Sequence, residues 1–195
     1  FSHGRDRDGS AAGRLRRAMR AWVLGHISET EEEVEAVRRR FPEAGEEAYA
    51  RLYDQHRLLG PRTILAHGVH LSEGELALLA QRRTVIAHCP TANEALGSGR
   101  MPLERLRRHG VRWCLASDVG AGTDPCLLEA IRGFLRVHRG RAATGAAEAY
   151  FRASWAGADA LGFGRHRGAL LEGRWADFLL VEPRPRRVRG AEGAV

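Results

Sequence analysis

The sequence predicts an α/β fold built on a parallel sheet. Two observations carry this. Between residues 21 and 140, four short apolar runs of strand length alternate with segments of helical periodicity. The runs also end alike: His26, His67 and His88 close or follow the first three, and Asp118 follows the fourth. Repeated strand–helix units give a parallel sheet, either a barrel or a doubly wound fold.

The first run is Ala21 to His26. Thr30 then offers a helix N-cap, and Glu33 three residues on completes the spacing of a capping box; Val34, Val37 and Phe41 continue at helical spacing. A second helix is expected over Glu43 to Arg57. Thr63 to Ala66 is the second strand, and Ser72 with Glu75 forms another capping box before Leu76, Leu79 and Ala80. Thr84 to Ala87 is the third strand. Pro102 to His109 is a helix closed by Gly110. Val111 to Ala116 is the fourth strand, and Asp124-Pro125 opens a helix carrying Leu127, Leu128, Ile131, Phe134 and Leu135. Ala146 to Leu161 reads as helix, Gly168 to Pro183 as short β structure around Asp177 to Val181, and the Arg/Pro/Gly-rich tail as poorly ordered.

With 195 residues, 44% of them hydrophobic, the chain can bury one sizeable core, or one domain plus part of another. No apolar run reaches the ~18 residues of a membrane span, and no signal-peptide pattern opens the chain. Residue 1 is Phe, so the sequence is expected to begin inside a longer protein. Cys89, Cys114 and Cys126 form no C-x-x-C pair, which predicts small buried thiols in a reducing, cytoplasmic setting. The net charge of +7 comes entirely from arginine. Clusters such as Arg38-Arg39-Arg40 fall near helix ends, where they complement the dipole, so they predict solvated helix surface and no nucleic-acid partner.

In parallel α/β folds, ligands bind at the C-terminal ends of the strands. His26, His67, His88 and Asp118 would therefore converge on one face. Imidazole and carboxylate are the donors of a hydrolytic Zn²⁺ site, which keeps one position open for water and lowers its pKa to ~7, supplying a hydroxide nucleophile. Glu29, three residues after His26, is placed to shuttle protons. His67 would hydrogen-bond the attacking oxygen, and Asp118 would hold metal and accept a proton. Each has a plainer reading: a packed histidine, a helix cap at Glu29, a turn residue at Asp118. The joint arrangement favours the site.

The segments His26-Ile27-Ser28-Glu29, Ala66-His67-Gly68, Ala87 to Asn93 and Ser117-Asp118-Val119-Gly120-Ala121-Gly122-Thr123 resemble the amidohydrolase superfamily, and in combination the guanine deaminases, from about residue 20 to residue 183. The resemblance implies a TIM (β/α)8 barrel, of which this chain would be the C-terminal half (strands 5–8) over residues 1–165. Residues 166–195 would begin a flanking C-terminal β-sandwich segment and tail. It implies one Zn²⁺ per active site, held by His26 and Asp118, and deamination of guanine to xanthine and ammonia in purine catabolism. Glu29, His67 and Asp118 would be catalytic. Phe1, His26, Ile27, Ser28, Glu29 and Asp118 would contact substrate. His88 has no metal role in that pattern. A homodimer is implied for the full-length protein.

The sequence departs from the family at several points, an expected shortening of the C-terminal β domain among them. The His-x-His pair of the first barrel strand is absent, Ala116-Ser117-Asp118 stands where Gly-Thr-Asp is usual, and residues 3–20 match poorly. The alternatives are a related enzyme acting on 8-oxoguanine, cytosine, adenosine or a triazine, or an inactive truncated remnant. The His-x-Glu and Pro-Cys-x-x-Cys deaminases are excluded by spacing, because Glu29 is three residues from His26 and Cys89 has no second cysteine near it.

Overall fold

A computed structural model of the chain describes residues 11–122, 124–140 and 144–182. Four strands, β1 (Val23–Ile27), β2 (Thr63–His67), β3 (Val85–His88) and β4 (Arg112–Leu115), form one parallel sheet in the order β1-β2-β3-β4. The helices are α1 (Ala11–Met19), α2 (Glu31–Arg40), α3 (Ala48–Gln55), α4 (Glu73–Arg82), α5 (Pro90–Ala95), α6 (Leu103–His109), α7 (Leu127–Val137), α8 (Ala146–Ala153) and α9 (Trp155–Ala160). The expected strands and most of the helices are therefore present.

Strand alternation divides the sheet into two faces. Leu65, Ile86 and Trp113 lie in register across the strands and share a core with Leu76 and Leu79 of α4, Leu103 and Leu106 of α6, and Phe134 of α7. Burying a side chain of this size contributes about 1.5–3 kcal/mol. On the other face Val85, Ala87 and Cys114 pack against Ala160 of α9. Leu24 of β1 is 72% exposed on that second face.

Several elements differ from expectation for local reasons. The helix expected over Glu43 to Arg57 is broken. Pro42–Glu47 is a 3-10 turn, and Gly45, at φ 66° and ψ −150°, interrupts it before α3 begins. The helix expected over Ala146 to Leu161 is two helices split at Ser154, whose hydroxyl donates to the Tyr150 carbonyl at 2.6 Å. Asp124 does not open α7. Its side chain accepts from Cys126 N in an Asx turn (2.7 Å), and the helix starts at Leu127.

Residues 168–182 contain no strand. Their apolar side chains, including Leu179 (78%) and Leu180 (93%), are exposed, and among the described residues no neighbouring strand pairs with them. Cys89 and Cys114 are buried as expected, but Cys126 is exposed because it sits in the turn ahead of α7. Many arginines pair with carboxylates, among them Arg82 with Asp54 and Arg112 with Asp159. Among the described residues, no helix is long and apolar enough to cross a membrane.

Candidate active site

The site begins with the chain leaving β1. Tyr53 donates to the His26 carbonyl at 3.0 Å, and a Cβ on Gly25 would lie 2.8 Å from that hydroxyl, so a larger residue there would displace the tyrosine. Ile27 is fully buried in the core. Strand alternation turns its side chain away from the site, so the expected substrate contact at Ile27 is available through its backbone only. Ser28, at φ 49°, bends the chain, and its carbonyl accepts from Val69 N (3.0 Å) and His70 N (2.9 Å). These bonds lay the loop after β2 onto the loop after β1.

Glu29 follows in that bend. Its backbone N–H donates to Glu33 Oε2 at 2.8 Å, and Glu33 Oε1 accepts from the Tyr49 hydroxyl at 2.5 Å. Thr30 caps α2 by accepting from Glu33 N, but the Glu33 carboxylate is used on Glu29 and Tyr49, so the reciprocal half of the expected capping box is not formed. Burial and the neighbouring Glu33 charge push the Tyr49 phenol up, keeping it protonated as a donor. The box at Ser72 and Glu75 is complete.

His67 ends β2 at φ 73°. It lies in register with Ile27, and regular alternation would send both side chains to the same face. The positive φ releases the imidazole from that pattern, and its ring stacks on His26 at 5.4 Å between centroids. Asp118 follows β4 at φ 55°, and its carbonyl accepts from Ala121 N and Gly122 N (3.1 and 2.6 Å). A Cβ on Gly122 would meet the Ser117 carbonyl oxygen at 2.0 Å, so this tight loop demands glycine.

One ligand atom each from His26, His67 and Asp118 lies within 4.8 Å of the others. His26 is exposed, Asp118 half-buried and His67 buried. Glu29 Oε2 is 3.4 Å from His67 Nε2. Four of the residues singled out in the sequence thus come together from the ends of three strands. Two do not. His88 is buried beneath the site, with Nε2 3.1 Å from His138 Nε2 and its ring edge-on to Trp113 and Phe134. Burial, then the His138 and His67 charges, lowers its pKa to about 3, so it is neutral framework. Phe1 lies outside the described residues.

Sequence reasoning missed two contacts. Asn93 Oδ1 is 2.8 Å from His67 Nδ1, and the Ser98 hydroxyl donates to Glu29 Oε1 at 3.1 Å. Asn93 closes a motif that the sequence displays, but a pairing across 26 residues carries no local signal.

The amidohydrolase family matches residues 10–191. A Deinococcus radiodurans protein named "Probable guanine deaminase" is 40% identical over 163 residues, covering 82% of this chain and 37% of that protein. The E. coli guanine deaminase structure superposes with a TM-score of 0.81 at 32% identity, over 90% of this chain and 42% of that one. The structure of a guanine deaminase from C. acetobutylicum with bound guanine gives 0.73 at 29% identity, over 83% and 39%. A Xanthomonas campestris adenosine deaminase with bound zinc gives 0.74 at 30% identity, over 84% and 38%. The chain therefore spans well under half the length of each of these proteins. Its parallel sheet and helices match a TIM-barrel-like α/β architecture, and the chain belongs to the amidohydrolase family.

Proposed function

We propose that this chain supplies the C-terminal half of a zinc-dependent guanine deaminase, which hydrolyses guanine to xanthine and ammonia. The convergence of His26, Asp118 and His67 within 4.8 Å, with Glu29 against His67, is the observation that carries the reading. Guanine deaminases among its relatives supply the substrate class.

The donor set fits zinc. Imidazole and carboxylate are hydrolytic-site ligands, and neighbouring donors on a tetrahedral ion stand roughly 3.4 Å apart at normal bond lengths. The observed limit of 4.8 Å therefore needs only a small closure. We assign His26 and Asp118 as zinc ligands, one ion per active site. When bound, zinc supplies the Lewis acidity that lets a water ionise near neutral pH. The remaining ligands would come from strands outside this chain.

Glu29 takes a proton from the attacking water, gives it to a purine ring nitrogen and then protonates the departing amine. One carboxylate serves in sequence because each transfer regenerates its acceptor form. Asp118 accepts the second proton of the water as the new carbonyl forms and passes it to Glu29, which delivers it to the departing amine, so both protons of the water are used. His67 hydrogen-bonds the attacking oxygen through Nε2. The His26–Glu29 segment lines the purine, with Ile27 contributing backbone only. Ser28 Oγ, buried and without a partner among the described residues, is available to a polar group in that segment. Phe1 is assigned to packing on the purine.

In this reading residues 1–165 are strands 5–8 of the barrel with their helices, and residues 166–195 lead into a flanking β domain. The exposed apolar stretch Phe178–Val181 fits a segment awaiting partner strands. The intact enzyme is assigned to the cytoplasm as a homodimer with a small-molecule substrate and no nucleic-acid or membrane partner. A second reading, a related purine aminohydrolase, is favoured by the similarity to an adenosine deaminase. Assaying the intact protein on guanine, 8-oxoguanine, adenosine, cytosine and triazines separates the two: highest kcat/KM on guanine supports the first, and on another substrate the second.

A further inference from the structure

We propose that the turn after β3, through Asn93 and Ser98, positions the two proton-handling side chains of the site. This rests on the reading of Glu29 and His67 given above. The third strand end carries the non-ligand His88, yet the segment that follows reaches both residues. Asn93 is 1% exposed and its Oδ1 lies 2.8 Å from His67 Nδ1. An amide oxygen only accepts, so the proton sits on Nδ1 and the Nε2 side is presented to the site. Ser98, 5% exposed, donates to Glu29 Oε1 at 3.1 Å, leaving Oε2 towards His67.

The two positioning residues are themselves tied together. Ser98 N donates to the Asn93 carbonyl at 2.9 Å, and the Ser98 carbonyl is 2.8 Å from His70 Nε2. Pro90 to Asn93 are all buried, and Asn93 N donates to the Cys89 carbonyl at 3.0 Å. The turn is thus a rigid brace running from His67 to Glu29.

Packing alone does not account for asparagine at this position. Its Nδ2 is buried with no partner among the described residues. Leaving a buried polar group unpaired costs about 1–3 kcal/mol. An apolar side chain of similar size would avoid that cost but would leave His67 Nδ1 without its acceptor. Outer-shell hydrogen bonds of this kind change activity by about 10–100-fold when removed.

The test uses the intact protein and four variants: Asn93→Leu, Asn93→Asp, Ser98→Ala and Ser98→Thr. Asn93→Leu is expected to lower kcat on guanine about 10–100-fold with KM and zinc content unchanged. Its crystal structure should show the His67 ring rotated from its stack on His26. Asn93→Asp, which keeps an acceptor, should restore ring position and most of the kcat. Ser98→Ala should lower kcat, and Ser98→Thr should restore it. Wild-type kcat in both Asn93→Leu and Ser98→Ala, or a His67 ring unmoved in Asn93→Leu, would overturn the proposal. If Asn93→Leu does not fold, the Ser98 pair decides it on kcat alone. Failure of the wild-type protein to deaminate guanine would instead remove the functional reading, while the ring position in Asn93→Leu would still decide whether Asn93 positions His67.

Discussion

The Nε2 atom of His67 lies 3.4 Å from Oε2 of Glu29, although the two residues belong to different strand ends. Gly68 N donates to the Ile27 carbonyl at 2.9 Å, and Val69 N and His70 N donate to the Ser28 carbonyl, so the backbone fixes this pairing. A carboxylate held in this way handles protons without moving far. Positioned acid–base groups contribute about 10²–10⁴-fold. Glu29→Gln in the intact protein is therefore expected to lower kcat at least about 100-fold while retaining zinc. Near-normal turnover by Glu29→Gln would sink the proton-shuttle assignment.

His26 and Asp118 are assigned as metal ligands because their side chains meet at the strand ends. Removing either should cost metal and activity together. Chelator treatment of the wild-type protein should abolish turnover, and added zinc should restore it. His26→Ala and Asp118→Ala should hold less zinc by elemental analysis and should not recover. Full zinc content in both variants would show that the ligands lie elsewhere.

The His88–His138 pair predicts an acid-sensitive core. The His88 pKa is lowered from 6.5 to about 3 in the folded protein, chiefly by burial. The unfolded chain takes up this proton as pH falls below ~6.5, and the folded chain does not until near 3. The contribution is thus complete above ~6.5 and is lost as pH falls towards 3, by up to about 1.4 kcal/mol per pH unit. His88→Gln removes the titrating group. Urea unfolding at pH 7 and pH 5.5 should show wild type losing more stability on acidification than the variant; parallel losses would contradict this.

The 195-residue chain by itself is expected to bind zinc weakly and to turn over little guanine. Within the described sheet, β1 and β4 are edge strands, and Leu24 on β1 is left 72% exposed. A parallel sheet with an uncovered apolar face lacks part of its core. Full deaminase activity in this purified chain would overturn the half-barrel reading.

The sequence made the sheet legible because each strand is a short apolar run closed by a polar residue. The helices were legible where caps spoke clearly, as at Ser72 and Glu75. The breaks at Gly45 and Ser154 were not, because helical spacing continues through both and only the backbone angles separate the pieces. In the site, Glu29, His67, His26 and Asp118 were readable from their places at strand ends. The buried direction of Ile27 follows from alternation and was obscured by its place inside the motif. Asn93 and Ser98 were not readable as site residues, since their partners lie 26 and 69 positions away.

The most direct measurement is the zinc-dependent production of xanthine and ammonia from guanine by the intact protein, compared with Glu29→Gln and Asp118→Ala. Stoichiometric xanthine and ammonia, lost on chelation and in both variants, is the expected result. No xanthine from zinc-loaded wild-type protein, or equal turnover by the variants, would contradict it.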